Sequence, residues 1–100
     1  MRNENEPSTI ADGARTVSLG KHNWAVISRS LSDIVEVTEE KIVEAVRLLF
    51  HAANLKVEPT GALSVAAVMT RPEFFLGRSV CCVISGGNVD SEVYVKILED

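Results

Sequence analysis

The sequence predicts an α/β chain built on an open, mostly parallel sheet with flanking helices, and three observations carry that reading. Two stretches repeat apolar residues at helical spacing, Trp24, Ile27 and Leu31 in one and Ile42, Val46, Leu49 and Ala53 in the other. The run Val80, Cys81, Cys82, Val83 and Ile84 is apolar throughout and rich in β-branched residues, the composition of a parallel strand covered on both faces. Along the chain the two kinds of pattern alternate as helix, strand, helix, helix, strand, which is the order of the α/β class.

Residues 1–8 contain Asn, Glu, Pro and Ser and no periodic apolar position, so they read as a disordered tail, with order expected from Thr9. Helical spacing covers residues 23–31, after which Ile34, Val35 and Val37 read as a short strand. Thr38 has the place of an N-cap. Glu39 and Glu40 favour the positive end of a helix dipole, and Val37 and Ile42 are spaced as a hydrophobic staple, so a helix is predicted to about Asn54. Leu55 and Val57, ahead of Pro59, read as a short extended piece, with Thr60 capping a helix that carries Ala62, Leu63, Val65, Ala66, Val68 and Met69. That helix is apolar on nearly every side, as helices between layers are. Arg71 and Pro72 stop it, Gly77 marks the next loop, and Ser85, Gly86, Gly87 and Asn88 form an abrupt turn after the predicted strand at 80–84. Residues 90–99 satisfy two periods. Val93, Val95 and Ile97 alternate as in a strand, whereas Val93 with Ile97 and Tyr94 with Leu98 pair at helical spacing, and the helix is preferred.

Of the 100 residues 46% are apolar, a large share for a chain too short to bury most of its surface, so a partner or a further segment is expected to cover part of it. Ten basic against 14 acidic residues give a net charge of −4 with no basic run, which makes nucleic acid and anionic membrane poor partners. No apolar run is long enough to span a bilayer, and the polar start lacks the apolar core of a signal peptide. The chain therefore reads as soluble and cytoplasmic. Cys81 and Cys82 are adjacent and cannot staple distant segments, so they read as buried reduced thiols. His22 and His51 lack ligating neighbours at metal spacing, and no metal site is assigned. Asp33, Glu36, Glu39 and Glu40 read as a solvated acidic rim.

Ligands of an open α/β sheet bind beyond the carboxyl ends of its strands, the place that residues 85–88 occupy. Two glycines there allow backbone to approach a flat ligand closely, and the Ser85 hydroxyl can both donate and accept. Taken alone, these four residues are better explained as a plain glycine turn.

Three separated segments change that balance. Thr9, Ile10, Ala11, Asp12 and Gly13, then Val57, Glu58, Pro59, Thr60, Gly61 and Ala62, then Ile84, Ser85, Gly86, Gly87, Asn88, Val89 and Asp90 resemble, in order and spacing, the C-terminal part of the pyridoxal-phosphate-dependent threonine/serine dehydratases and serine racemases. Gly20, Trp24 and the stretch 34–40 also resemble that family, so the likeness covers nearly all of residues 9–100. The resemblance implies a C-terminal fragment of the tryptophan-synthase-β-like fold, fold type II, with residues 9–100 forming part of the dehydratase-like catalytic domain. It implies that Ser85 hydrogen-bonds the pyridine nitrogen of the cofactor, that Gly13 lies against a face of its ring, that Gly86 belongs to the same loop, and that Glu58 sets a carboxylate near the ring. A carboxylate stabilising the start of its own helix is the alternative for Glu58. A hydroxyl at the ring nitrogen is neutral and leaves the cofactor a moderate electron sink, adequate for α-proton removal followed by loss of a β-hydroxyl.

The family's Schiff-base lysine, its glycine-rich phosphate loop and its acidic divalent-metal site all fall N-terminal to the segments matched here. None of Lys21, Lys41, Lys56 or Lys96 stands in the family's lysine motif, so no catalytic residue is assigned. The expected function is that of the C-terminal portion of a threonine/serine ammonia-lyase or serine racemase acting on serine, threonine or a related hydroxy amino acid, inactive without the lysine-bearing half. With no regulatory domain after Asp90, the shorter catabolic or racemase type is the closer likeness. The alternative is a non-catalytic protein that binds a subunit through the face the other half would cover.

Overall fold

The computed structural model describes residues 8–15 and 20–99. All of the predicted tail except Ser8 lies outside these residues. The molecule is organised by α2 (Glu39–Ala53), whose start and end follow local chemistry. Thr38 is in extended backbone, and its hydroxyl accepts a hydrogen bond from the Lys41 amide at 3.2 Å, satisfying one of the free N–H groups of the first turn. At the other end Asn54 takes a left-handed conformation, φ 54°, and the Leu55 amide donates back to the Leu49 carbonyl at 3.0 Å.

One face of α2 is the core. Ile42, Ala45, Val46 and Leu49 are buried there, against Ala11, Val57, Ala62, Ala66 and Ile97. Ala53, which the apolar spacing adds to this stripe, is exposed. A 3₁₀ turn, Thr60–Ala62, leads into α3 (Leu63–Thr70), which packs on α2 through the small side chains of Ala62 and Ala66. Every other residue of α3 is only partly covered. Thr60 is not the helix cap that the sequence predicts, since its hydroxyl is engaged elsewhere. Pro72 opens the single turn α4 (Pro72–Phe75), and Gly77 adopts φ 76° in the following loop.

The period conflict at residues 90–99 resolves as α5 (Ser91–Glu99), started by the Asp90 carboxylate accepting from the Glu92 amide at 2.8 Å. Ile97 is buried on α2 and Arg47 donates to the Ile97 carbonyl, whereas Val93 and Val95 face outward. α1 (Lys21–Ser30) forms where predicted but buries none of its residues.

The predicted strands are not paired: among the described residues no sheet forms at 34–37, 55–57 or 80–84. A strand exists only through hydrogen bonds to a neighbour, and the one backbone bond found near the last two runs joins residues just beyond them, Glu58 N–H to the Gly86 carbonyl at 3.0 Å. The run 80–84 meets the body through the Ser64 hydroxyl, which donates to the Val83 carbonyl at 2.9 Å, and through Ile84, which packs partly buried against the core. Exposure follows. Val80 and Val83 are 46% and 72% exposed, and Cys81 is an exposed free thiol rather than the buried one expected, with Cys82 half-buried. The acidic residues Asp33, Glu36, Glu39 and Glu40 are all exposed, as a solvated rim requires, and two of them make surface contacts: Asp33 pairs with Arg71 at 3.2 Å and Glu39 accepts from the Ile10 amide at 3.0 Å. His22 and His51 are exposed, His51 standing edge-on to Phe50.

Candidate functional site

Three loops far apart in sequence meet beside the amino end of α3. The first is the 3₁₀ turn Asp12–Ala14, anchored by buried Ala11 and closed by an Asp12–Arg15 ion pair at 3.0 Å. Its Gly13 amide donates to the Thr60 hydroxyl at 2.9 Å, across 47 residues. The second loop is Glu58, Pro59, Thr60 and Gly61, with Pro59 and Gly61 buried. The third is the turn at 85–88, tied to the second by the Glu58 amide.

Backbone packs against backbone where the second and third loops cross. A Cβ on Gly61 would stand 2.6 Å from the Gly86 carbonyl oxygen, and one on Gly87 would stand 2.5 Å from that of Lys56. Neither oxygen can move aside, so both positions require glycine for packing. Gly86 differs, because a Cβ there would meet only the movable Glu58 carboxylate, Oε1 at 2.7 Å. Gly13 is hemmed by Thr60, whose Cγ2 and Oγ1 would lie 2.9 and 3.1 Å from an added Cβ.

All four residues singled out from the sequence therefore belong to one cluster: Gly13 through Thr60, Gly86 through Gly61 and Glu58, and Ser85 as the neighbour of Gly86. Glu58 precedes Pro59 and does not lie in the first turn of a helix, which removes the helix-dipole explanation for it. The Ser85 side chain is exposed and has no hydrogen-bond partner among the described residues. Beside the cluster a small cleft of about 60 Å³ is walled by Ile10, Asp12, Glu58, Pro59, Asn88 and Asp90, with Val89 and Val93. Its charged walls are all carboxylates. Sequence reasoning missed Thr60 as a partner of Gly13, since the bond spans 47 residues and its local position imitates a helix cap.

The family described as pyridoxal-phosphate dependent enzyme matches residues 1–86. The chain is 40% identical over 93 residues to the L-threo-3-hydroxyaspartate ammonia-lyase of Pseudomonas sp, covering 93% of this chain and 29% of that protein. Human serine racemase is 40% identical over 96 residues, covering 90% of this chain and 27% of its own length. Among solved structures, the T.th. threonine deaminase superposes with a TM-score of 0.83 at 42% identity, covering 90% of this chain and 32% of the other. The serine racemase of Dictyostelium discoideum superposes with a TM-score of 0.73 at 31% identity over 84% and 28% of the two chains. This chain thus spans less than a third of the length of these relatives.

Proposed function

This chain belongs to the pyridoxal-phosphate dependent enzymes, and from that premise we propose that it is the C-terminal portion of a threonine/serine ammonia-lyase or serine racemase, contributing the ring side of the cofactor site. In the complete enzyme the runs at 55–57 and 80–84 join the open, mostly parallel sheet, and the substrate is a hydroxy amino acid such as serine or threonine. The observation that carries this reading is the convergence of Gly13, Glu58, Ser85 and Gly86, drawn from three separate loops, around one turn.

The donor set fits the ring of pyridoxal phosphate and not its phosphate. Ser85 offers a free hydroxyl at the turn, whereas the adjoining cleft is walled by carboxylates and by no cation. Bound cofactor supplies a sink for the electron pair left when the α-proton of an amino acid is removed. The Ser85 hydroxyl would hold the ring nitrogen by a hydrogen bond and, being neutral, would not fix a proton on it as a carboxylate would. Glu58, tethered through its amide to the Gly86 carbonyl, sets a carboxylate beside the same loop, and Gly13 and Gly86 would let backbone approach the ring closely. The covalent attachment of the cofactor and the grip on its phosphate come from the remainder of the enzyme, so the 100 residues alone have no dehydratase or racemase activity.

The test is to incubate the purified chain with pyridoxal phosphate and serine and to assay 2-oxo acid and D-serine, first alone and then together with the part of the Pseudomonas ammonia-lyase that this chain does not match. No turnover alone and turnover on reconstitution are expected. In the reconstituted enzyme Ser85→Ala should cost about 1–3 kcal/mol of cofactor binding, and Ser85→Asp should change the cofactor's absorption. Turnover by the chain alone, or wild-type behaviour of both variants, would overturn the reading.

A further inference from the structure

The Thr60 hydroxyl is a connection between loops rather than a helix cap, and resting on the reading above we propose that Thr60 is a positioning residue: it latches the Gly13 turn to the loop that carries Glu58, and so presents Gly13 to the cofactor ring. Two independent features of one side chain support this. Its Oγ1 accepts the Gly13 amide at 2.9 Å, although a threonine just before a helix is ordinarily used to satisfy the helix's own amides, and here the cap of α3 has no such bond. Its Cγ2 lies 2.9 Å from where a Gly13 side chain would begin, so any larger residue there must push against the methyl that faces the turn.

The placement matters because the turn has few other restraints on this side. Ala11 is buried, but Asp12, Gly13, Ala14 and Arg15 are all exposed. The next residue, Gly61, is the one on which Gly86 rests. Adjacent residues thus hold the two glycines assigned to the ring, Thr60 by a hydrogen bond and Gly61 by having no side chain. The glycine at position 13 answers first to Thr60, and the position of its backbone is a consequence of that packing.

Hydroxyl and methyl can be separated by substitution. Thr60→Val keeps the shape and removes the acceptor, whereas Thr60→Ser keeps the acceptor and removes the methyl. Amide hydrogen exchange at Gly13 in the full chain, without cofactor, reads the latch directly. Exchange should be about fivefold to tenfold faster in Thr60→Val, the worth of one net hydrogen bond, and close to wild type in Thr60→Ser. Gly13→Ala should raise exchange at the Ala11 and Asp12 amides in the Thr60 background and much less in the Thr60→Ser background, where the obstructing methyl is gone. Equal Gly13 exchange in wild type and Thr60→Val overturns the latch.

Pyridoxal phosphate titrated into the reconstituted enzyme then reads its consequence, with about fivefold to tenfold weaker binding expected for Thr60→Val and wild-type binding for Thr60→Ser. If exchange at Gly13 responds as stated while affinity is the same in all variants, the positioning role is overturned. If exchange responds and the wild type binds no cofactor, the proposed cofactor site fails with it, and the latch stands as a structural contact only.

Discussion

The α2 core and the run at 80–84 are equally apolar in sequence and opposite in structure. Ala45 and Val46 are fully covered and Ile42 is 2% exposed, whereas Val83 is 72% exposed on a segment with no paired strand. The difference lies in where each finds its neighbours. The α2 face is closed by α3, α5 and the loops beside them, all within the described residues, because a helix completes its own backbone bonds and needs only side-chain cover. A buried-type strand needs hydrogen-bonded neighbours and cover on both faces. The first region is a self-contained core, and the second lacks such neighbours among the described residues.

Charge substitution in each region is the sharpest way to break the contrast. Val46→Asp places a carboxylate without a partner in the fully buried face of α2 and should cost more than about 4 kcal/mol, enough to abolish the helical circular dichroism of the chain. Retained folding of this variant would show that the core is not where the stability resides.

Val83→Asp makes the same chemical change at the exposed run. It should alter the stability of the chain by less than about 0.5 kcal/mol, since the side chain already meets water. Association with the complementary part of the Pseudomonas relative should nevertheless weaken by about 2–3 kcal/mol, as a charge is carried into a covered sheet. Denaturant unfolding and sedimentation of the mixture check the two halves, and a large loss of stability in the free chain would erase the distinction between the regions.

A smaller effect tests how complete the core is. Tyr94 packs edge-on to Phe50, with ring centroids 6.1 Å apart, but its hydroxyl is buried with no hydrogen-bond partner among the described residues. Tyr94→Phe should therefore stabilise the chain by about 1 kcal/mol, measured by denaturant unfolding. Burial also raises the Tyr94 hydroxyl above its ordinary value of 10.0. The folded chain then holds this proton more firmly than the unfolded one, so the associated stability is whole below pH 10.0 and is lost as the pH rises from there through the raised value. Tyr94→Phe should lack that alkaline loss, and an identical pH dependence for both proteins would place the hydroxyl in water.

What could be read from the sequence was whatever short-range chemistry decides. Thr38 with Glu39 and Glu40 announces the start of α2, Asn54 stands at its end, and the spacing of Ile42, Val46 and Leu49 marks its inner face. Each signal acts within one or two turns. The site residues are legible in another way, by resemblance: Gly13, Glu58, Ser85 and Gly86 stand out as residue types in an order, which says nothing of how they meet.

Tertiary structure decided the rest, because those outcomes depend on partners remote in sequence. Thr60 has the local look of a helix cap and instead receives the amide of Gly13, 47 residues away. Asp33 and Glu39 stay in the solvated rim that the sequence suggests, but their partners, Arg71 and the Ile10 amide, lie 38 and 29 residues away. Residues 80–84 carry the composition of a buried strand, yet composition states only a preference for β structure, and pairing requires a second strand in register. Residues 90–99 fit two periods on paper, with the helix preferred, and the helix forms, with Asp90 capping it and α2 offering a place for Ile97. Local sequence thus determined where α2 begins and ends and which face it buries. Only the assembled chain determined which polar groups meet, since hydrogen bonds between loops are settled by their placement in space and leave no periodic trace along the sequence.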